Sequence, residues 1–241
     1  MTSPRVRAVA ARCVAVAVVG VLATGCGGKD DEGGDSDFAK QSGNKIAADA
    51  KAGMKALEEV KFSGEITSGG DTISLDIQAS AAGDCTGSIG LGGGTAEILA
   101  KDGTNWFKPD EAFWRANAGD SADAIIQAVS DKWVLDSSSN FAQFCDLDAF
   151  FDNIFEEKEG SSEYKTTGTD EVDGKKVVKV EQKDDEGTSV GYVLVEGDHY
   201  LLKLERTEGD EPGHLDFSDF NKEFEVTAPA DDEVIDLSTL E

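Results

Sequence analysis

The hydrophobic period of the chain changes several times, and each change predicts a different element. Over residues 38–60, Ile46, Ala50, Gly53, Met54, Leu57 and Val60 recur at three- and four-residue spacing, with Lys45, Asp49, Lys51, Lys55 and Glu58 between them. That spacing puts the apolar side chains on one stripe of a helix. From Phe62 the period becomes two. Apolar or small residues alternate with polar ones through Phe62, Gly64 and Ile66, then Ile73, Leu75, Ile77 and Ala79, then Cys85, Gly87, Ile89 and Leu91, then Ala96, Ile98 and Ala100. The breaks are Gly69-Gly70-Asp71, Gly83-Asp84, Gly92-Gly93-Gly94 and Lys101-Asp102-Gly103, the last leading into Asn105-Trp106-Phe107-Lys108. Short alternating runs joined by Gly/Asp turns are antiparallel hairpins. One face of such a sheet is apolar and the other wet.

The middle of the chain returns to helical spacing. Asp110 opens a short helix that carries Phe113 and Trp114. Residues 121–129 form a second, with Ser121 as its cap. Trp133 follows, and then Leu147, Phe150, Phe151, Ile154 and Phe155 fall on one helical face behind the capping Asp146. Alternation resumes over residues 164–171, 176–182, 189–195 and 199–207, with a last strand around 215–220. Residues 228–241 read as a loosely packed tail. The pattern as a whole is α+β: helix, hairpins, aromatic helices, hairpins.

The N-terminus has a different character. Residues 1–12 carry Arg5, Arg7 and Arg12 and no acid, residues 13–23 are apolar, and Ala23-Thr24-Gly25-Cys26 follows. These are the three parts of a secretory signal. The apolar run is about half the ~20 residues that span a bilayer. A cysteine directly after the small residues resembles the bacterial lipobox, although Leu22 lies one position earlier than the commonest spacing. The resemblance implies removal of residues 1–25 and attachment of a diacylglyceryl group, with chains of the palmitate kind, to Cys26. Residues 27–37, GGKDDEGGDSD, are a flexible acidic tether. The expected organisation is a signal peptide (1–25), a lipidated cysteine and linker (26–37) and a single domain (38–241), held on the outer face of the cytoplasmic membrane.

Charge and cysteine content narrow the partners. The chain has 22 basic and 49 acidic residues; without the three signal arginines the balance is 19 against 49, a net charge of −30. Such a surface repels nucleic acid and favours a soluble monomer. Cys85 and Cys145 remain after Cys26. In an oxidising compartment two leftover cysteines pair as a rule; the rival is two buried free thiols.

Catalytic motifs are sparse. Gly187-Thr188-Ser189-Val190-Gly191 matches G-x-S-x-G, but a hydrolase needs strand, turn and helix around that serine, and here a strand and hairpin follow. Gly90-Leu91-Gly92-Gly93-Gly94-Thr95 lacks the Lys-Ser/Thr ending of a phosphate loop. His199 and His214 are the only histidines, so no zinc ligand set is evident. No catalytic residue, metal or cofactor is expected, and the chain does not read as an enzyme. The notable excess is aromatic: Phe113, Trp114, Trp133, Phe141, Phe144, Phe150, Phe151 and Phe155 crowd the helical middle. They are either an ordinary core layer or a lid over an apolar cavity.

Several segments resemble the actinobacterial lipoproteins of the LppX/LprG type, which share a fold with the LolA/LolB carriers. They are residues 23–26, IAADAKAGMKALEEVKFSGEI, TGSIGLGGGTAEILAKDGTNWFKPDEAFW, DKWV at 131–134 and VDGKKVVKV at 172–180; the likeness spans roughly residues 38–227. It implies a curved antiparallel sheet, a half-barrel, with helices packed on its concave face and an apolar cavity between them that takes lipid acyl chains. The implied role is envelope lipid transport. The alternative is a non-enzymatic envelope interaction module with a filled core. This chain departs from the family in its acidity and in the Cys85/Cys145 pair, and a bridge there limits opening of the helical layer toward large multi-acyl ligands. Alternation then nominates Ile73, Leu75, Ile77, Ile89, Ile98 and Trp106 from the sheet, and Phe113, Trp114, Trp133 and Phe151 from the helical layer, as cavity lining.

Overall fold

A computed structural model describes residues 37–137, 141–156, 160–185, 187–209 and 211–239. The expected signal, Cys26 and all but the last residue of the expected linker lie outside the described residues.

Ser42 starts the first helix, its hydroxyl accepting from the Lys45 amide at 3.3 Å, and α1 runs Gly43–Lys55. This is shorter at both ends than the apolar stripe implies. Residues 38–41 form a turn in which the Gln41 amide donates to the Phe38 carbonyl. At the other end Glu59 and Val60 already belong to the first strand, because Val60 is in phase with Phe62 as well as with the helical stripe. Five strands then meander: β1 (Glu59–Ser68), β2 (Asp71–Ser80), β3 (Cys85–Leu91), β4 (Gly94–Lys101) and β5 (Thr104–Pro109). The helical middle contains α2 (Glu111–Asn117), α3 (Ala122–Val129), a short β6 (Trp133–Leu135) and α4 (Leu147–Ile154). A second meander follows: β7 (Lys165–Val172), β8 (Lys175–Asp184), β9 (Gly187–Leu194), β10 (Leu201–Glu208) and β11 (Gly213–Ser218). A two-residue β12 (Val234–Ile235) comes last.

All twelve strands form one open, curved sheet in the order β12-β6-β5-β4-β3-β2-β1-β11-β10-β9-β8-β7. The meanders join where β1 pairs with β11, Phe62 opposite Phe217 and Gly64 opposite Leu215. The helices cover the concave face, and the main core lies between.

Two expectations need correction. The C-terminal segment is not a loose tail: Val234 and Ile235 pair in parallel with Trp133 and Val134, and Ile235 and Leu237 pack on the buried Trp114, Val129 and Val134. A two-residue parallel edge strand has neither a turn signal nor an alternating run to announce it. Ser121 does not cap α3 with its side chain; a 3-10 turn over Gly119–Ser121 leads into that helix instead. Asp110 and Asp146 do cap, their carboxylates accepting from the Phe113 and Ala149 amides. Gly94 allows α2 to lie directly on the β3–β4 turn, since a Cβ there would sit 1.9 Å from the Phe113 nitrogen.

Candidate functional site

The helical layer fills one half of the concave face with side chains. Cys85 on β3 is disulfide-bonded to Cys145 just before α4, with Cα atoms 5.3 Å apart. Phe150 stacks on Phe62 with ring centroids 4.2 Å apart, and Phe151 meets Phe217 at 6.3 Å. Phe141 meets Phe107 at 5.2 Å. Leu75, Ile77, Ile89 and Ile98 are buried beneath this layer, together with Phe151 from α4, and Ile73 packs at its edge. Phe113 and Trp114 are buried on α2, Trp114 in a smaller core with Val129 and Val134.

The two remaining nominees face the other way. Phe107 pairs with Ile98 and Val134 and shares their inward face, so Trp106, paired with Leu99 and Leu135, faces outward. Trp133 is likewise one residue out of phase with the buried Val134. A one-residue change of phase moves a side chain to the opposite face of a sheet.

The open space lies in the other half. A cavity of about 430 Å³ sits between α1, the end of α4, strands β8–β11 and the end of β1. Its apolar wall includes Ala50 from α1, Phe155 after α4, and Ile66, Val180, Leu204 and Leu215 from the sheet. None of the ten nominated residues borders it. Gly191 widens it. A Cβ there would point toward the Leu201 side chain, 3.2 Å from Cδ1, and otherwise meet only the Val180 carbonyl oxygen at 3.9 Å.

One end of the cavity is polar. Gln182, Asp184, Ser189 and Arg206 line it, with Glu156 and Glu211. The Arg206 guanidinium lies 3.1 Å from Asp184, with the side chains 17% and 11% exposed. Gln182 donates to the Ser162 carbonyl at 3.3 Å. These residues escape a search for hydrophobic stripes because they are the polar interruptions of inward-facing runs.

Ser189 lies inside β9, which continues to Leu194 without a turn or helix, so the local geometry of a nucleophile elbow is missing. His214 sits out of phase with the buried Leu215, its Nε2 3.7 Å from Asp216. His199 stacks on Phe38 and approaches the Leu194 carbonyl at 3.1 Å. On the outer face Tyr192 donates to Glu205 at 2.7 Å; burial first, then that hydrogen bond, pushes its phenol up to about 12. Among the described residues, no group of three or more His, Cys, Asp or Glu is arranged to hold a metal ion. Among them, too, no helix is long and apolar enough to cross a membrane.

No protein-family model matches the chain, and no curated protein matches it in sequence. Among the solved structures to which the chain is similar are two mycobacterial lipoproteins. The lipoprotein LppX of Mycobacterium tuberculosis superposes with a TM-score of 0.53 at 15% identity, covering 80% of this chain and 100% of LppX. LprF from Mycobacterium bovis superposes with a TM-score of 0.56 at 12% identity, covering 78% of this chain and 97% of LprF. At such identities the likeness concerns the path of the backbone: the chain has the LppX/LprG-type fold that its sequence segments resemble.

Proposed function

We propose that the protein is an exported envelope lipoprotein, anchored through Cys26, that holds the acyl part of a lipid in the concave-face cavity and carries it within the envelope. The observation that supports this reading is the cavity itself. It is mainly apolar, carries a charged and polar cluster at the Gln182–Arg206 level, and at about 430 Å³ falls in the range of roughly 300–1,000 Å³ typical of small-ligand sites. At roughly 30 Å³ per water-sized group, it has room for on the order of 14 such groups, enough for one acyl chain. The other half of the concave face is filled by the disulfide-linked aromatic layer, which favours a single-chain occupant over a multi-acyl one. Similarity to a lipoprotein fold and the lipobox-like N-terminus support the envelope location.

Native mass spectrometry of the protein purified from its own envelope tests the proposal. A co-purifying lipid is the expected result. A clean unliganded mass, together with no uptake of a fluorescent acyl probe, overturns it in favour of a filled-core interaction module. A Cys26→Ala form should fold and bind lipid in vitro yet fail to load in the cell. The 11-residue tether has a typical reach of about 20 Å, so loss of the anchor removes the cavity from the membrane surface.

A further inference from the structure

The inward faces of three adjacent strands turn from apolar to polar in the same direction and at the same level. On β8 the inward series is Val178, Val180, Gln182 and Asp184; on β9, read against its direction, it is Val193, Gly191 and Ser189; on β10 it ends in Leu204 and Arg206. The register aligns them. Val180 lies opposite Gly191, and Gly191 opposite Leu204; one step along, Gln182 lies opposite Ser189, and Ser189 opposite Arg206. Gln182, Asp184, Ser189 and Arg206 all line the cavity. It is therefore amphipathic along the strand direction, and an occupant that matches it has a chain at the Val180–Leu204 level and a polar head at the Gln182–Arg206 level.

The charges at that end restrict the head. Arg206 and Asp184 form an ion pair of zero net charge. Around it Glu156 and Glu211 also line the cavity, and Asp185 and Glu208 line the adjoining groove, where Lys183 is paired with Glu181 and Glu208. Acids thus outnumber cations at this end among the described residues. An anionic head pays for entry by meeting several carboxylates. An ion pair offers a donor and an acceptor side by side, and a hydroxyl, which both accepts and donates, complements both.

We infer that the ligand is a single-chain amphiphile with an uncharged, hydroxyl-bearing head, bound with that head between Arg206 and Asp184. The inference rests on the reading of the cavity as a lipid site and adds the class of its ligand. Arg206 donates to the head-group oxygen, Asp184 accepts from its hydroxyl, and Ser189 and Gln182 complete the polar level. The acidic surroundings exclude fatty-acid and phosphate anions.

Calorimetric titration of the protein with three ligands of equal chain length tests this: monomyristoylglycerol, myristate and myristyltrimethylammonium, near pH 7 and at low salt. The expected result is that the monoglyceride binds at least about tenfold more tightly than myristate, with the gap narrowing in 0.5 M salt as screening weakens the repulsion. An Arg206→Met/Asp184→Leu variant that keeps the wild-type near-ultraviolet circular dichroism should bind the monoglyceride at least about tenfold more weakly, because the head loses its donor and acceptor, while Glu156 and Glu211 still disfavour myristate. Equal or tighter binding of myristate overturns the inference and leaves the cavity reading standing, as does tightest binding of the ammonium ligand. Failure of all three ligands to bind overturns both. The wild-type comparison decides the matter even where the double variant does not fold.

Discussion

Reducing the bond between Cys85 and Cys145 removes a cross-link that closes a 60-residue separation in the chain. In the chain-entropy description the cross-link removes about 14 cal/mol/K from the unfolded ensemble, or ~4 kcal/mol at 25 °C. For a domain of this size each kcal/mol moves the melting temperature by about 2–4 °C, so reduction should lower Tm by roughly 8–16 °C. Both cysteines are buried in the main core. A Cys85→Ala/Cys145→Ala protein therefore also loses packing, of order 0.8 kcal/mol per methylene-sized group, and should melt slightly below the reduced wild type. Thermal and urea unfolding of the oxidised protein, the protein in reductant and the double variant separate the two contributions. The urea slope should rise on reduction, because the unfolded chain exposes more surface once the loop is open. A shift of less than about 2 °C on complete reduction, verified by the mass added on alkylation, refutes this reasoning.

Two further outcomes follow from local geometry. Asp110 caps α2 through the Phe113 amide at 2.7 Å and also accepts from the Thr95 amide at 3.1 Å, tying the helix to β4; Asp110→Ala should lose about 1–2 kcal/mol in urea unfolding. The Asp84 carboxyl is held below its ordinary range, chiefly by the hydrogen bond from the Lys101 ammonium, against an opposing effect of desolvation, with a smaller contribution from the Asp102 amide. A depressed folded-state value contributes stability that is present above the unfolded value near 3.9 and is lost as pH falls through the folded one. Asp84→Asn should therefore be less stable than wild type at neutral pH, with the difference closing from about pH 5 downward; a difference that stays constant to pH 2 contradicts the assignment.

Alternation makes the first meander legible from sequence. Ile73, Leu75, Ile77, Ile89 and Ile98 share one face because each strand keeps strict period two between Gly/Asp turns. The α4 stripe and its Asp146 cap are legible for the same local reason. Trp106 and Trp133 show where composition misleads. An aromatic residue suggests the core, yet the phase of β5 and β6 is set by Phe107 and Val134, and a tryptophan beside each is carried to the outer face. The position of the cavity is not a local property. It depends on which half of the sheet the disulfide-linked helices cover, and its polar end consists of residues that spoil the hydrophobic pattern of β8 and β10. Inward polar residues such as Asp184 and Arg206 become a signal only when register brings them together. The β12 pairing is similarly invisible, since nothing within residues 228–241 specifies a partner more than ninety residues earlier in the chain.

The central claim, that the space between α1 and strands β8–β11 holds an acyl chain, is tested most directly at Gly191. Its backbone lies outside the left-handed region, and the nearest atom to a new Cβ is the flexible end of Leu201. Phenylalanine at this position fills the cavity without backbone strain, and filling a void of this kind commonly adds about 0.5–2 kcal/mol of stability. An uncharged fluorescent acyl ester should titrate wild type saturably at one site. It should bind Gly191→Phe at least about tenfold more weakly, a loss of roughly 1.4 kcal/mol or more, while Tm is unchanged or raised. Undiminished binding to a folded Gly191→Phe protein, or no binding to wild type, contradicts the account.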